Sequence, residues 1–177
     1  MEEEDPTLTL EIFFRALQRG DFEAADRCLS GESSLGLAVP AGDEVLAKAL
    51  GALEKSWDYQ LSGDCTVEKT TAWQNILLQT LDFSAMEQDI QRETREQLLE
   101  IARNRNRSLV YDEEGNYLPE IAGEAYDLAL SAVLDHAEEY SVTQNLRIEL
   151  ARTRDSWKIV PNEELMAALC GDLRQGA

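Results

Sequence analysis

Apolar residues in the first thirty positions recur every three or four residues. Leu10, Phe13, Phe14 and Leu17 give one inward stripe, which predicts a helix over 6–19. Asp5 stands at its N-cap, Pro6 at its first position and Gly20 just past its end. Asp21 then caps a second, short helix, with Phe22, Ala25, Cys28 and Leu29 inward and Gly31 as the stop. Only Gly20-Asp21 joins the two, so they form a helical corner. Residues 30–42 are rich in Ser, Gly and Pro and read as a loop. Asp43 caps a third helix, whose inner side carries Val45, Leu46, Ala49, Leu50 and Leu53.

The period then falls to two. Trp57, Tyr59 and Leu61 alternate with Ser56, Asp58, Gln60 and Ser62, which predicts a strand with a break at Gly63-Asp64. Residues 70–81 fit two patterns. Trp73, Ile76, Leu77, Thr80 and Leu81 have helical spacing, yet the same stretch also supplies both faces of a central strand. A strand is expected, because an isolated first strand would need a partner. Ser84-x-x-Glu87 is a capping box ahead of a long helix reaching about 107, with Met86, Ile90, Leu98, Ile101 and Ala102 available for burial. A loop over 111–117 precedes a helix over 121–137. There Ile121, Ala125, Leu128, Ala129, Ala132 and Val133 make a stripe that Tyr126, Leu130 and Leu134 widen.

The clearest strand covers 140–151. Tyr140, Val142, Leu146, Ile148 and Leu150 share one face with the polar Gln144, and the other face is mostly polar. Thr153-Arg154-Asp155-Ser156 is turn-like, and Trp157-Lys158-Ile159-Val160 is the return strand. Pro161 ends it, and Asn162 caps a last helix over 163–174. Strands come in antiparallel pairs rather than βα units, so the fold class is α+β. Residues 1–5 read as a flexible acidic start, compatible with a trimmed tether, and 6–175 as a single domain.

Charge and composition narrow the function classes. The 177 residues hold 16 Lys and Arg against 35 Asp and Glu, a formal charge of −19. That excludes a nucleic-acid partner, which needs a basic face, and docking on an anionic membrane surface. No stretch approaches the roughly 20 apolar residues of a membrane span. The start, Met1-Glu2-Glu3-Glu4-Asp5, has neither the basic residues nor the apolar run of a secretory signal. A cytoplasmic protein and an exported protein with its signal removed both fit. Cys28, Cys65 and Cys170 form no C-x-x-C pair and the chain has one histidine, so no metal site and no cofactor is expected. Buried inert thiols are favoured over one disulfide plus a free thiol.

The segment Phe13-Phe14-Arg15-Ala16-Leu17-Gln18-Arg19-Gly20-Asp21-Phe22-Glu23-Ala24-Ala25 resembles the opening of nuclear-transport-factor-2-like (cystatin-like cone) domains. Tyr140 through Trp157-Lys158-Ile159-Val160 to Asn162-Glu163-Glu164-Leu165 resembles their closing hairpin, and is similar to domains of small surface lipoproteins of clostridia and gut bacteria. The resemblance implies a curved antiparallel sheet of about four strands wrapped on helices, with an extra helical pair between the two hairpins. It also implies export and lipid anchoring through a cysteine outside this chain, and it makes a homodimer through the outer sheet face a candidate.

Few residues suggest chemistry. Asp58 and Tyr59 are neighbours on a strand and point to opposite faces. His136 follows an apolar helix, where a histidine commonly packs or caps. Trp57, Tyr59, Trp73 and His136 are the candidate ligand-binding residues, with the aromatics lining a concave sheet face. Core filling is the competing role for the tryptophans. Arg103, Arg105 and Arg107 are expected to neutralise nearby acidic side chains, and Asp112-Glu113-Glu114-Gly115-Asn116 to be a solvated turn. The reading favours a non-enzymatic domain for a small apolar ligand or a protein partner. The alternative is a small lyase or isomerase in which Tyr59 or His136 moves a proton.

Overall fold

The computed structural model describes residues 5–31, 33–37, 42–154 and 156–170. Local capping chemistry sets the first elements. The Asp5 carboxylate accepts from the Thr7 backbone N–H at 2.9 Å and starts α1, Pro6–Gln18. Asp21 accepts from Ala24 to start α2, Phe22–Asp26, and Asp43 accepts from Leu46 to start α3, Glu44–Ser56. Between α1 and α2, Gly20 has a φ of +73°. Its N–H donates to the Leu17 carbonyl and that of Asp21 to the Ala16 carbonyl, which closes the end of α1 in a Schellman motif.

A four-stranded antiparallel sheet follows, in the spatial order β1 (Asp58–Glu68), β2 (Thr71–Leu81), β3 (Ser141–Arg152), β4 (Trp157–Ile159). The fold is therefore α+β, as the strand pairing in the sequence predicts. Residues 70–81 are the strand β2, paired on both sides: Ile76 faces Leu61 of β1 and Leu146 of β3. Ala72, Gln74, Ile76, Leu78 and Thr80 point into the core with Leu146, Ile148 and Leu150, and α1, α3 and α6 (Glu163–Cys170) pack against the sheet.

Several boundaries differ from the sequence reading: the long helix expected to reach about 107 ends at Asn104, β3 starts at Ser141 rather than 140, and others follow. Trp57 is the C-cap of α3, not a strand residue, because it continues the helical stripe of Leu50 and Leu53 and lies 2% exposed in the core. Gly63-Asp64 does not break β1. Three residues, 63–65, bulge out opposite Gln74, whose buried amide donates to the carbonyls of Ser62 and Gly63 and holds the bulge. Asp82, not Ser84, caps the long helix α4, Phe83–Asn104: its carboxylate takes the Ala85 N–H while its own N–H donates to the Tyr140 carbonyl. Finally, α5 runs Pro119–Leu134, and a 3-10 turn, Ala137–Tyr140, leads into β3. The expected turn at 153–156 closes by Thr153 bonding the Ser156 carbonyl, with Asp155 outside the described residues. Residues 1–4 of the expected acidic start, part of the 30–42 loop, and 171–174 of the last expected helix also lie outside them.

The helices α4 and α5 are an antiparallel pair inserted between the two hairpins. Their roots join the main core through Met86, Ile90, Ala129 and Val133. Their far ends have a small core of their own, Ile101, Val110, Ile121 and Ala125, flanked by Tyr111 and Tyr117. The turn between them is pinned by the Asp112 carboxylate, which accepts the N–H groups of Glu114 and Asn116.

Candidate functional site

A cleft of about 560 Å³ opens at the root of the α4–α5 arm. Its walls come from four helices and one strand end. Ala49 and Leu53 belong to α3, Leu81 ends β2, and Ala167 belongs to α6. Capping by Asp82 sets the phase of α4, so that Phe83, Met86 and Ile90, at i, i+3 and i+7, look into the cleft together. The α5 residues Tyr126, Leu130 and Leu134 close the opposite side. The polar wall residues among those described, Ser84, Glu87 and Gln91, are all exposed and lie at the mouth. An apolar body fits inside with its polar end outward.

Two polar clasps hold the arm to the body beside this cleft. Lys48 of α3 donates to the Asp135 carboxylate at 2.6 Å and to the Ser131 hydroxyl at 2.8 Å. The hydrogen bond from Lys48 holds the Asp135 carboxyl below its ordinary range. The second clasp is the Tyr140 hydroxyl, which donates to Asp89 of α4, and Asp89 also pairs with Arg92. Bonding to that carboxylate pushes the Tyr140 phenol up to about 12.

The residues that the sequence nominated lie elsewhere, and none of the four lines the cleft. The Trp57 indole N–H donates to the Leu169 carbonyl at 3.0 Å, and the buried Thr80 hydroxyl donates to the Ala168 carbonyl at 2.7 Å. Together they tie α6 to the end of α3 and to β2. Tyr59 is half-buried and stacks on Phe14, with ring centroids 4.3 Å apart. Burial, and next the nearby Glu11, raise its phenol. Trp73 is on the opposite sheet face, under the Arg147 guanidinium at 5.3 Å. His136 is exposed at the junction of α5 and the 3-10 turn. Trp57 and Tyr59 do share the α1 side of the molecule, with Phe22 packed on the first and Phe14 on the second.

Other candidates have local partners. Arg105 forms a two-pronged pair with Glu124, Arg103 lies 4.0 Å from Glu100, and Arg107 stacks over Tyr111. None of the three cysteines is in a disulfide; Cys28 and Cys170 are buried, and burial raises the Cys28 thiol. Among the described residues, no cluster of three or more His, Cys, Asp or Glu could hold a metal ion. No helix among them is long and apolar enough to cross a membrane. What sequence reasoning missed is the wall itself. Its signal was the over-wide stripe of α5: Tyr126, Leu130 and Leu134, which widen it, all line the cleft.

No protein-family model matches this chain, and no curated protein matches it. Solved structures similar to it include a "putative lipoprotein (ycdA)" of Bacillus subtilis, at 16% identity and a TM-score of 0.46. That match covers 94% of this chain and 47% of the other, so this chain spans about half the length of that protein. A "putative dehydratase from the NTF2-like family" of Streptomyces avermitilis matches at 16% identity and a TM-score of 0.33, covering 86% of this chain and 88% of that one. The fold itself stands on the chain's own elements: a four-stranded antiparallel sheet with six α-helices among the described residues.

Proposed function

We propose that this chain is a binding domain whose cleft at the root of the α4–α5 arm takes a small, largely apolar ligand. One observation carries the proposal. The cavity's volume of about 560 Å³ falls within the roughly 300–1,000 Å³ of small-molecule sites, and its described lining is mainly apolar, with the exposed Ser84, Glu87 and Gln91 at the rim. The ionisable side chains in the wall, Glu87 and Tyr126, are both exposed, an arrangement that suits orienting a ligand better than moving a proton. Export and lipid anchoring, which the sequence resemblance implies, belong to the same reading. Their check is an apolar segment ending in cysteine upstream in the gene.

The test is titration with Nile red, an uncharged dye that brightens in apolar surroundings. The expected result is saturable binding of one dye per chain that is lost in Ala167→Trp. Ala167 is exposed on α6 and faces the cleft, so an indole there fills the cavity without disturbing the core. Absence of saturable binding, or binding unchanged by Ala167→Trp, overturns the proposal.

A further inference from the structure

We infer, resting on the cleft being a binding site, that its ligand is a cationic amphiphile: an alkyl chain ending in an ammonium head. The chain would lie on Leu53, Met86, Ile90 and Leu130, and the head beside Glu87 and the Tyr126 ring. Among the described residues, Glu87 is the one charged side chain in the wall. Asp89, on the same helix, pairs with Arg92, and Asp135, at the end of α5, with Lys48. Glu87 makes no ion pair among the described residues. A carboxylate beside an apolar cavity attracts a ligand's positive head more strongly than it would in open water, and repels a negative one.

Two further features favour the same sign of charge. The Tyr126 ring, half-exposed at the mouth, offers the negative face of an aromatic to a cation. The chain's net charge of −19 draws cations toward the surface and disfavours anions at long range. The start of α4 would attract an anion, but the Asp82 carboxylate already occupies it.

Calorimetric titration with three ten-carbon amphiphiles, all below their micelle concentrations, tests this. Decyltrimethylammonium is cationic, decyldimethylamine oxide is uncharged overall at pH 8, and decanoate is anionic. The expected order is cation, then amine oxide, then anion, with about tenfold separating the first from the last. Glu87→Gln, at an exposed helix position, should bring the three together while leaving the amine oxide affinity unchanged. Equal binding of all three, or a cation preference that Glu87→Gln leaves intact, overturns the inference about charge and leaves the cleft as a binding site. Cation binding that persists in Ala167→Trp is general attraction to an acidic surface and also overturns it. Failure of all three to bind, together with failure of Nile red, overturns the binding site as well.

Discussion

The Tyr140 hydroxyl donates a 2.5 Å hydrogen bond to the Asp89 carboxylate, joining residues 51 apart in sequence. It ties the entry of β3 to the root of α4, where the arm leaves the body. Removing the hydroxyl by Tyr140→Phe should cost about 1–2 kcal/mol, since the acceptor is charged but partly solvated. The loss should depend on pH in one direction. The phenol is pushed up to about 12 in the folded chain, above its ordinary value near 10. Its contribution is therefore complete below about pH 10 and vanishes as pH rises toward 12. Urea unfolding of both proteins at pH 8 and pH 11.5 should show the gap closing at the higher pH. A gap that widens or stays constant contradicts this.

Thr80→Val keeps the volume of a fully buried side chain and removes the donor to the Ala168 carbonyl. Loss of this buried hydrogen bond should cost about 1–3 kcal/mol. Denaturant midpoints measure it. Trp57→Phe, which removes the donor to the neighbouring Leu169 carbonyl and some packing, should cost at least as much.

Gly20→Ala strains the corner between α1 and α2 twice. The backbone φ of +73° disfavours any Cβ, and an added Cβ would come within 2.9 Å of Glu54 Oε1. The backbone part should cost about 1–2 kcal/mol. The Glu54 part is cheap, because a flexible carboxylate can swing away. Thermal unfolding of Gly20→Ala with and without Glu54→Ala separates the two, and the double variant should recover only the smaller share.

Filling the cleft should be nearly neutral for the fold. Ala167→Trp at an exposed helix position is expected to change stability by no more than about 0.5 kcal/mol while abolishing dye binding. Large destabilisation would mean that the cavity is already closed in solution.

The parts of this fold legible in the sequence are those decided within a few residues. Asp5, Asp21 and Asp43 announce helices because each carboxylate finds an N–H two or three positions on. The closing hairpin was legible for a similar reason: one face of β3 is buried, so alternation survives in the sequence. Trp57 misled because aromatic alternation with Tyr59 outweighed its helical spacing from Leu53. The start of α4 misled although its signal was local: the Asp82 carboxylate takes the Ala85 N–H three positions on, and Ser84-x-x-Glu87 offered a competing cap two residues later. The cleft was illegible for a deeper reason. Its walls are drawn from residues 49 to 167, and Leu, Met, Phe and Ala at those positions are the same types that fill any core. Only the packing decides which apolar faces meet and which are left with space between them.

The two margins of the sheet are finished differently. Along β4, the Ile159 N–H donates to the Cys28 carbonyl and its own carbonyl accepts from Ser30, so that margin is spent. Along β1, no strand among the described residues takes the outer hydrogen-bonding groups. Among the described residues, such a sheet has one open margin per molecule. Two copies that met there, end to end, would exhaust every vacancy between them, and a third could not join. Ribbon-like growth needs two such ends on each subunit, and a sheet with one open margin among its described residues offers no route to it.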